Sequence, residues 1–191
     1  MSQGETDLPG VDILLVCTGN QCRSPMAAAI LTRLLSERGS AFNVASGGFV
    51  SEGIPCPPEV LEVMGPLGYD LSPHRSRALS EALLDSARIV VGMTRQHVVD
   101  LSLVDPTTWS RTFTFSELVR LGEASPARRS DESLDSWVAR IGAGRHRARI
   151  LDLPLSEDVP DPIGKPLGVY IRTRDRLVAL ATGFADLIEP V

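Results

Sequence analysis

Residues 11–16 read VDILLV, an apolar run of strand length that breaks off into Cys17-Thr18-Gly19-Asn20-Gln21-Cys22-Arg23-Ser24 before a helical pattern begins at Pro25. Few architectures accept that order. A short run with no polar alternation suits a strand covered on both faces. The segment after it, MAAAILTRLLSERG, is rich in alanine and leucine and keeps its apolar residues at helical spacing. Pro25 stands where proline is best tolerated, in a first helical turn, and Gly39 is placed to close the helix. The stretch between is therefore the turn of a strand–loop–helix unit. Backbone N–H groups in such a turn face a common centre, and the helix dipole adds partial positive charge there.

The alternation continues. Residues 42–45 suit a second strand, followed by a glycine-rich loop over 46–53. Residues 58–67 read as a helix, 87–93 (ARIVVGM) as a third strand, and 94–103 as a helix capped by Thr94. Residues 111–115 alternate and suit a fourth strand. Val169, Leu177, Leu180 and Phe184 mark a closing amphipathic helix over 167–188. Strands alternating with helices predict an α/β fold, a parallel sheet with helices on both faces. Residues 122–150 depart from this pattern, with ASPARRSDES and GAGRHRAR flanking Trp137, Val138 and Ile141. They read as an insertion carrying a helix near 133–141, within one domain spanning 11–191. The basic run 145–149 reads as a solvated end rather than a docking patch, and Trp109 and Trp137 as packing anchors.

Composition narrows the function. A formal charge of −5 over 191 residues argues against nucleic acid as a partner. No run approaches the roughly 18 apolar residues of a transmembrane helix, so no membrane partner is expected. The opening MSQGETDLPG lacks the basic and apolar regions of a secretory signal and reads as a flexible leader over 1–10. Three cysteines are odd in number and too few for a disulfide framework, which points to the reducing cytoplasm. Oligomeric state is not written in these features.

The loop residues suit an anion. Gly19 lets the backbone curl closely, and Arg23 offers a planar two-pronged fork for phosphate-like oxygens. Cys17 stands at the mouth of the turn, where a positive field favours thiolate and makes the sulfur a nucleophile. The Ser24 hydroxyl is placed to donate to that sulfur. Asn20 tolerates left-handed backbone and holds the loop in shape. Thr18, Gly19, Asn20, Gln21, Cys22 and Ser24 are thus the phosphate-binding candidates beside Cys17 and Arg23. The alternatives are a buried inert thiol for Cys17 and a surface helix charge for Arg23. Zinc is disfavoured, because two loop cysteines lack the further pair that a closed site needs.

The run CTGNQCRSP on a strand–loop–helix resembles the low-molecular-weight protein tyrosine phosphatase family, whose C-x5-R-[ST] motif follows the first strand. The resemblance extends through AAAILTRLL, ASGGF, GYDLSPHRSRALS, RIVVGMTRQHV and the late DPIG. It implies a single three-layer domain with a four-stranded parallel sheet flanked by helices. It further implies a cysteine-dependent phosphatase that needs no cofactor or metal and acts on phosphorylated protein through a phospho-cysteine. In many members a second loop cysteine, matched by Cys22, joins the nucleophile reversibly on oxidation; a small buried filler is the alternative for Cys22.

Cleaving a phosphate ester requires a proton for the leaving oxygen and later a base for water. The segment Asp158-Val159-Pro160-Asp161-Pro162 stiffens the chain around Asp161. Such a loop is expected to hold the carboxylate over the phosphate without docking it onto Arg23. The resemblance assigns the general acid to the aspartate of a late D-P pair, which is Asp161, with Asp158 as the fallback. A turn-forming role is the alternative for Asp161, and Asp105-Pro106 is a rival pair without family support.

Phe49 reads as a wall of an aromatic slot or as a core aromatic. Ile163 and Gln21 depart from family patterns: tyrosine-directed relatives often have an aromatic and a bulky aliphatic there, and phosphoarginine-directed ones have threonine in place of Gln21. Phosphotyrosine is the first expected substrate and phosphoarginine the second. Two rivals remain: an arsenate reductase, disfavoured because residues 89–101 hold no resolving cysteine and Cys56 stands alone outside the loop, and a catalytically dead phosphate-binding module, disfavoured because a pure binder needs no thiolate. His74 and Arg75 read as packing or surface residues, and His97 as facing solvent or a partner.

Overall fold

β1 (Ile13–Cys17) is buried along its whole length, as its unbroken apolar run requires. It lies inside a four-stranded parallel sheet ordered β2-β1-β3-β4, completed by β2 (Val44–Gly48), β3 (Ile89–Gly92) and β4 (Thr112–Thr114). Leu14 pairs with Ala45 on one side and with Val90 on the other. The computed structural model describes residues 10–189, so residues 1–9 of the expected leader lie outside the described part.

Seven α-helices cover the sheet: α1 (Arg23–Glu37), α2 (Pro58–Met64), α3 (Glu81–Ser86), α4 (Arg95–Val104), α5 (Phe115–Glu123), α6 (Leu134–Gly142) and α7 (Leu167–Ile188), counted among the described residues. Alternate strand residues point to opposite faces. Ile13, Leu15, Val91 and Phe113 join the larger core with Ile30 and Leu31 of α1 and Leu177 and Phe184 of α7. Leu14, Val16 and Val90 meet Leu83 and Leu84 of α3 and Leu101 of α4 in a smaller core. Each fully buried aliphatic side chain contributes about 1.5–3 kcal/mol of burial, so three layers follow from the pattern. No helix among the described residues is long and apolar enough to cross a membrane.

The expected strands are present with boundaries moved by one to three residues, and the closing helix spans 167–188 as expected. Two helices go beyond the expectation. α5 starts at Phe115 because Thr114 forms a capping box with Glu117, ending the fourth strand sooner than expected. α3 is a single short turn-and-a-half capped by Ser80. Helix α2 ends at Met64 and continues as a 3-10 turn over Gly65–Leu67.

The basic run 145–149 needs a correction. Residues 146–149 are exposed as expected, but Arg145 is not a solvated charge: its side chain is buried, bonds both carboxylate oxygens of Glu117 at 2.8 and 2.9 Å, and lies over the rings of Trp109 and Phe113. Its planar, weakly hydrated guanidinium suits that stack. Within the same segment α6 is capped by Ser133 and buries Trp137 fully against Phe184.

Sheet order positions the site. From β1 the chain runs outward to β2, then crosses back to β3 on the other flank of β1. The loops leaving β1 and β3 therefore diverge at the carboxyl edge and leave a crevice between them, the place where open α/β sheets bind ligands.

Candidate active site

The loop from Cys17 to Arg23 fills that crevice. Asn20 takes the left-handed conformation, φ 49°, which turns the chain back toward α1. Its side chain then fixes the turn: Nδ2 donates to Ser24 Oγ and Ser46 Oγ, both at 2.9 Å, and Oδ1 accepts from the Arg77 N–H at 2.8 Å. The Asn20 carbonyl lies 2.7 Å from His74 Nε2. Below the loop, Gly48 is a contact that only glycine permits, because a Cβ there would meet the Asn20 nitrogen at 2.6 Å.

The fixed loop leaves its donors free. Among the described residues, the backbone N–H groups of Thr18 through Cys22 find no acceptor in the protein. Helix α1 has no side-chain cap and no acidic residue in its first turn. A row of unpaired N–H groups at a helix N-terminus is a site for an anion.

Cys17 Sγ, 2% exposed as a residue, lies 3.1 Å from Ser24 Oγ. Ser24 Oγ also lies 3.3 Å from the Gly47 carbonyl, so its single proton can turn to either. Arg23 is buried, and its fork is held from three sides: Nη1 donates to the Val159 carbonyl at 3.2 Å, and Nη2 to Thr18 Oγ1 at 3.3 Å and Asp161 Oδ2 at 2.6 Å. Its Nε–H is buried without a partner. Burial pushes the Cys22 thiol up, with Cys17 adding to the effect, and burial pushes Cys56 up to about 11. Both therefore stay protonated at neutral pH.

Cys17, Thr18, Gly19, Gln21, Cys22, Arg23 and Asp161 line one open cleft of about 390 Å³, while Asn20 and Ser24 lie buried beneath it. The residues singled out from sequence thus converge. One expectation fails: Asp161 is docked onto Arg23 rather than held clear of it. A guanidinium this deeply buried needs an anionic neighbour, and the loop brings the carboxylate within reach. Asp158, the fallback acid, pairs with Arg95 and accepts the Arg95 backbone N–H at 2.7 Å. Asp105 binds Thr107 at the start of a 3-10 turn and is not among the residues lining this cleft.

Sequence reasoning missed His97. It is 5% exposed rather than solvent-facing, with Nε2 3.0 Å from Thr18 Oγ1 and its ring stacked on Phe49. The available signal was position: His97 belongs to the first turn of the helix that follows β3, beside the crevice. Phe49 is half-buried in the wall of a second cleft that shares Thr18, Arg23 and Asp161 with the first.

The family model for low molecular weight phosphotyrosine protein phosphatase matches residues 12–126. The chain belongs to that family. The Bacillus subtilis protein-arginine-phosphatase is 31% identical over 180 residues, covering 94% of this chain and 97% of its own length. A probable low molecular weight protein-tyrosine-phosphatase, EpsP of Ralstonia nicotianae, is 33% identical and covers 69% of this chain and 96% of its own. A solved structure of YwlE arginine phosphatase, a mutant with a phosphorylated active-site serine, superposes with a TM-score of 0.70 at 28% identity, covering 92% of this chain and 94% of its own. This low-molecular-weight phosphatase is accordingly a cysteine-dependent phosphomonoester hydrolase on a single α/β domain.

Proposed function

We propose that the enzyme dephosphorylates phosphorylated protein side chains with Cys17 as nucleophile, Arg23 as oxyanion clamp and Asp161 as general acid and base. The observation that carries this reading is the convergence of sulfur, guanidinium and carboxylate around a loop of unpaired N–H groups.

The phosphoryl group displaces Asp161 from Arg23 and is held by the guanidinium and the amides of residues 18–22, which match three equatorial oxygens. The Cys17 thiolate forms an S–P bond as the ester P–O bond breaks, and Asp161 gives its proton to the leaving oxygen. Water then attacks phosphorus, Asp161 takes its proton, the S–P bond breaks and orthophosphate leaves. Ser24 turns its proton from Gly47 to Cys17 and stabilises the departing thiolate.

Phosphotyrosine is the first substrate in this reading, with Phe49 as the wall for an aromatic leaving group. A specific observation supports phosphoarginine as the second: Ile163 lines the cleft around Cys17, where no aromatic ring is found among the lining residues, while Asp100, Asp158 and Asp161 all line the neighbouring cleft that holds Phe49. Carboxylates there suit a guanidinium leaving group. We further read residues 122–150 as an insertion stitched into the core by Trp137, and the cytoplasm as the compartment that keeps three free cysteines reduced.

Turnover of para-nitrophenyl phosphate tests the mechanism. Cys17→Ser is expected to lower kcat on the order of 10³-fold or more, and Asp161→Asn about 10²-fold or more. Activity that survives Cys17→Ser overturns the proposal, and arsenate-dependent thioredoxin oxidation in its place assigns a reductase. Peptides carrying phosphotyrosine or phosphoarginine, compared by kcat/KM, decide the leaving group.

A further inference from the structure

His97 touches the anion loop yet takes no part in the steps above. It is the third residue of α4, where its backbone N–H bonds the Thr94 cap at 3.2 Å. The strand before it makes room: a Cβ at Gly92 would meet His97 Cβ at 3.0 Å. The ring lies on Phe49 with centroids 5.8 Å apart and planes at 18°. Nε2 faces Thr18 Oγ1 at 3.0 Å, and the same oxygen accepts from Arg23 Nη2 at 3.3 Å. Nδ1 is buried with no partner.

These contacts choose a tautomer. A neutral imidazole carries one N–H and one lone pair. With the proton on Nδ1, a buried donor would be orphaned, which folded proteins rarely tolerate; with it on Nε2, only an acceptor is left unused. Thr18 Oγ1 then receives two N–H bonds, from His97 and Arg23, filling both its lone pairs. Its own proton is left for the cleft, where Thr18 is exposed.

We propose that His97 is a positioning residue for the phosphatase reaction: by donating to Thr18 it fixes that hydroxyl as an anchor of Arg23 and turns the hydroxyl proton toward the bound substrate. This rests on the reading of Arg23 as the phosphate clamp. The need for the anchor arises during turnover. Asp161 must leave Arg23 before it can protonate the leaving group, and the clamp is then held by the Val159 carbonyl and Thr18. The charged groups facing the ring are Arg23 from α1, Asp100 from α4, and Asp158 and Asp161 from the loop before α7. Burial first, and Arg23 next, push the imidazole down to about 4, so it stays neutral across the working range.

The test uses the full chain with inorganic phosphate as the probe, its affinity read by titration calorimetry, alongside para-nitrophenyl phosphate kinetics. Thr18→Val and His97→Leu are each expected to weaken phosphate about tenfold, the scale of one hydrogen bond to a charged group. The double variant should be no more than about twofold worse than either, because both changes break one chain of bonds. His97→Gln, which offers an N–H at similar reach, should stay within about threefold of wild type. Multiplying losses, wild-type affinity in His97→Leu, or His97→Gln as weak as His97→Leu would each overturn the proposal. If His97→Leu does not fold, Thr18→Val and His97→Gln decide it: wild-type affinity in Thr18→Val, or tenfold loss in His97→Gln, overturns it. Should wild type bind phosphate without turning over the ester, the phosphatase reading fails while the affinity comparison still judges the anchor.

Discussion

Asn20 shows how one side chain can hold a catalytic turn: it tolerates positive φ, and its amide occupies Ser24, Ser46 and the Arg77 N–H together. Asn20→Ala removes three hydrogen bonds at about 0.5–1.5 kcal/mol each and leaves a β-carbon residue in strained backbone. The expected result is a stability loss of about 2–4 kcal/mol in urea unfolding, with kcat/KM reduced at least tenfold. His97 makes a pH prediction. Its imidazole is held at about 4 in the fold against 6.5 unfolded, so between those values only the unfolded chain takes a proton. Stability is therefore full above pH 6.5 and lost as pH falls toward 4, by roughly 3 kcal/mol. Unfolding at pH 7 and pH 4.5 should show a smaller acid loss for His97→Gln than for wild type. Asn20 was legible in sequence because its local chemistry names its task. His97 was not, since its partner Thr18 lies 79 positions away and nothing local announces the pairing.

At the level of elements, the strand–loop–helix around Cys17 could be read directly: strand, turn and helix each left a local signal, and all three agreed. Helix α5 left one as well, Thr114-x-x-Glu117 before Leu118 and Val119, but the alternating run before it suggested strand across the same residues. Helix α3 has six residues, too few for periodicity to separate it from a turn. The Gly48 contact was invisible, since the sequence showed a glycine-rich loop and not the backbone pressed against it. Gly48→Ala is expected to displace the loop, because the 2.6 Å approach is to backbone and cannot be relieved by a rotamer change. Loss of phosphate binding together with a lower Tm is the expected outcome, checked by calorimetry and a thermal melt. The Arg23–Asp161 pair belongs with these misses, because stiffness around Asp161 was readable while its direction was not.

Across the whole molecule, the segment 122–150 is fastened at two points. Trp137 fills the core against Phe184, and Arg145 pairs with Glu117 between two aromatic rings. Trp137→Ala should cost about 3–5 kcal/mol through the cavity it opens. Glu117→Ala should cost a similar amount, because it leaves a buried guanidinium unpaired. Both are read by urea unfolding. The fold class was legible from alternation alone, but the fastening was not, since a basic run reads as solvent-facing until its aromatic and acidic partners are located.

The carboxylate resting on Arg23 has a consequence for inhibition. It acts as a tethered decoy, so free orthophosphate must evict an anion that never diffuses away. Asp161→Asn should therefore tighten inorganic phosphate by a few-fold to tenfold, a modest gain for a half-exposed pair, while slowing turnover. The substrate's phosphoryl group must evict the same carboxylate, so the guard lowers the apparent affinity for substrate and product alike.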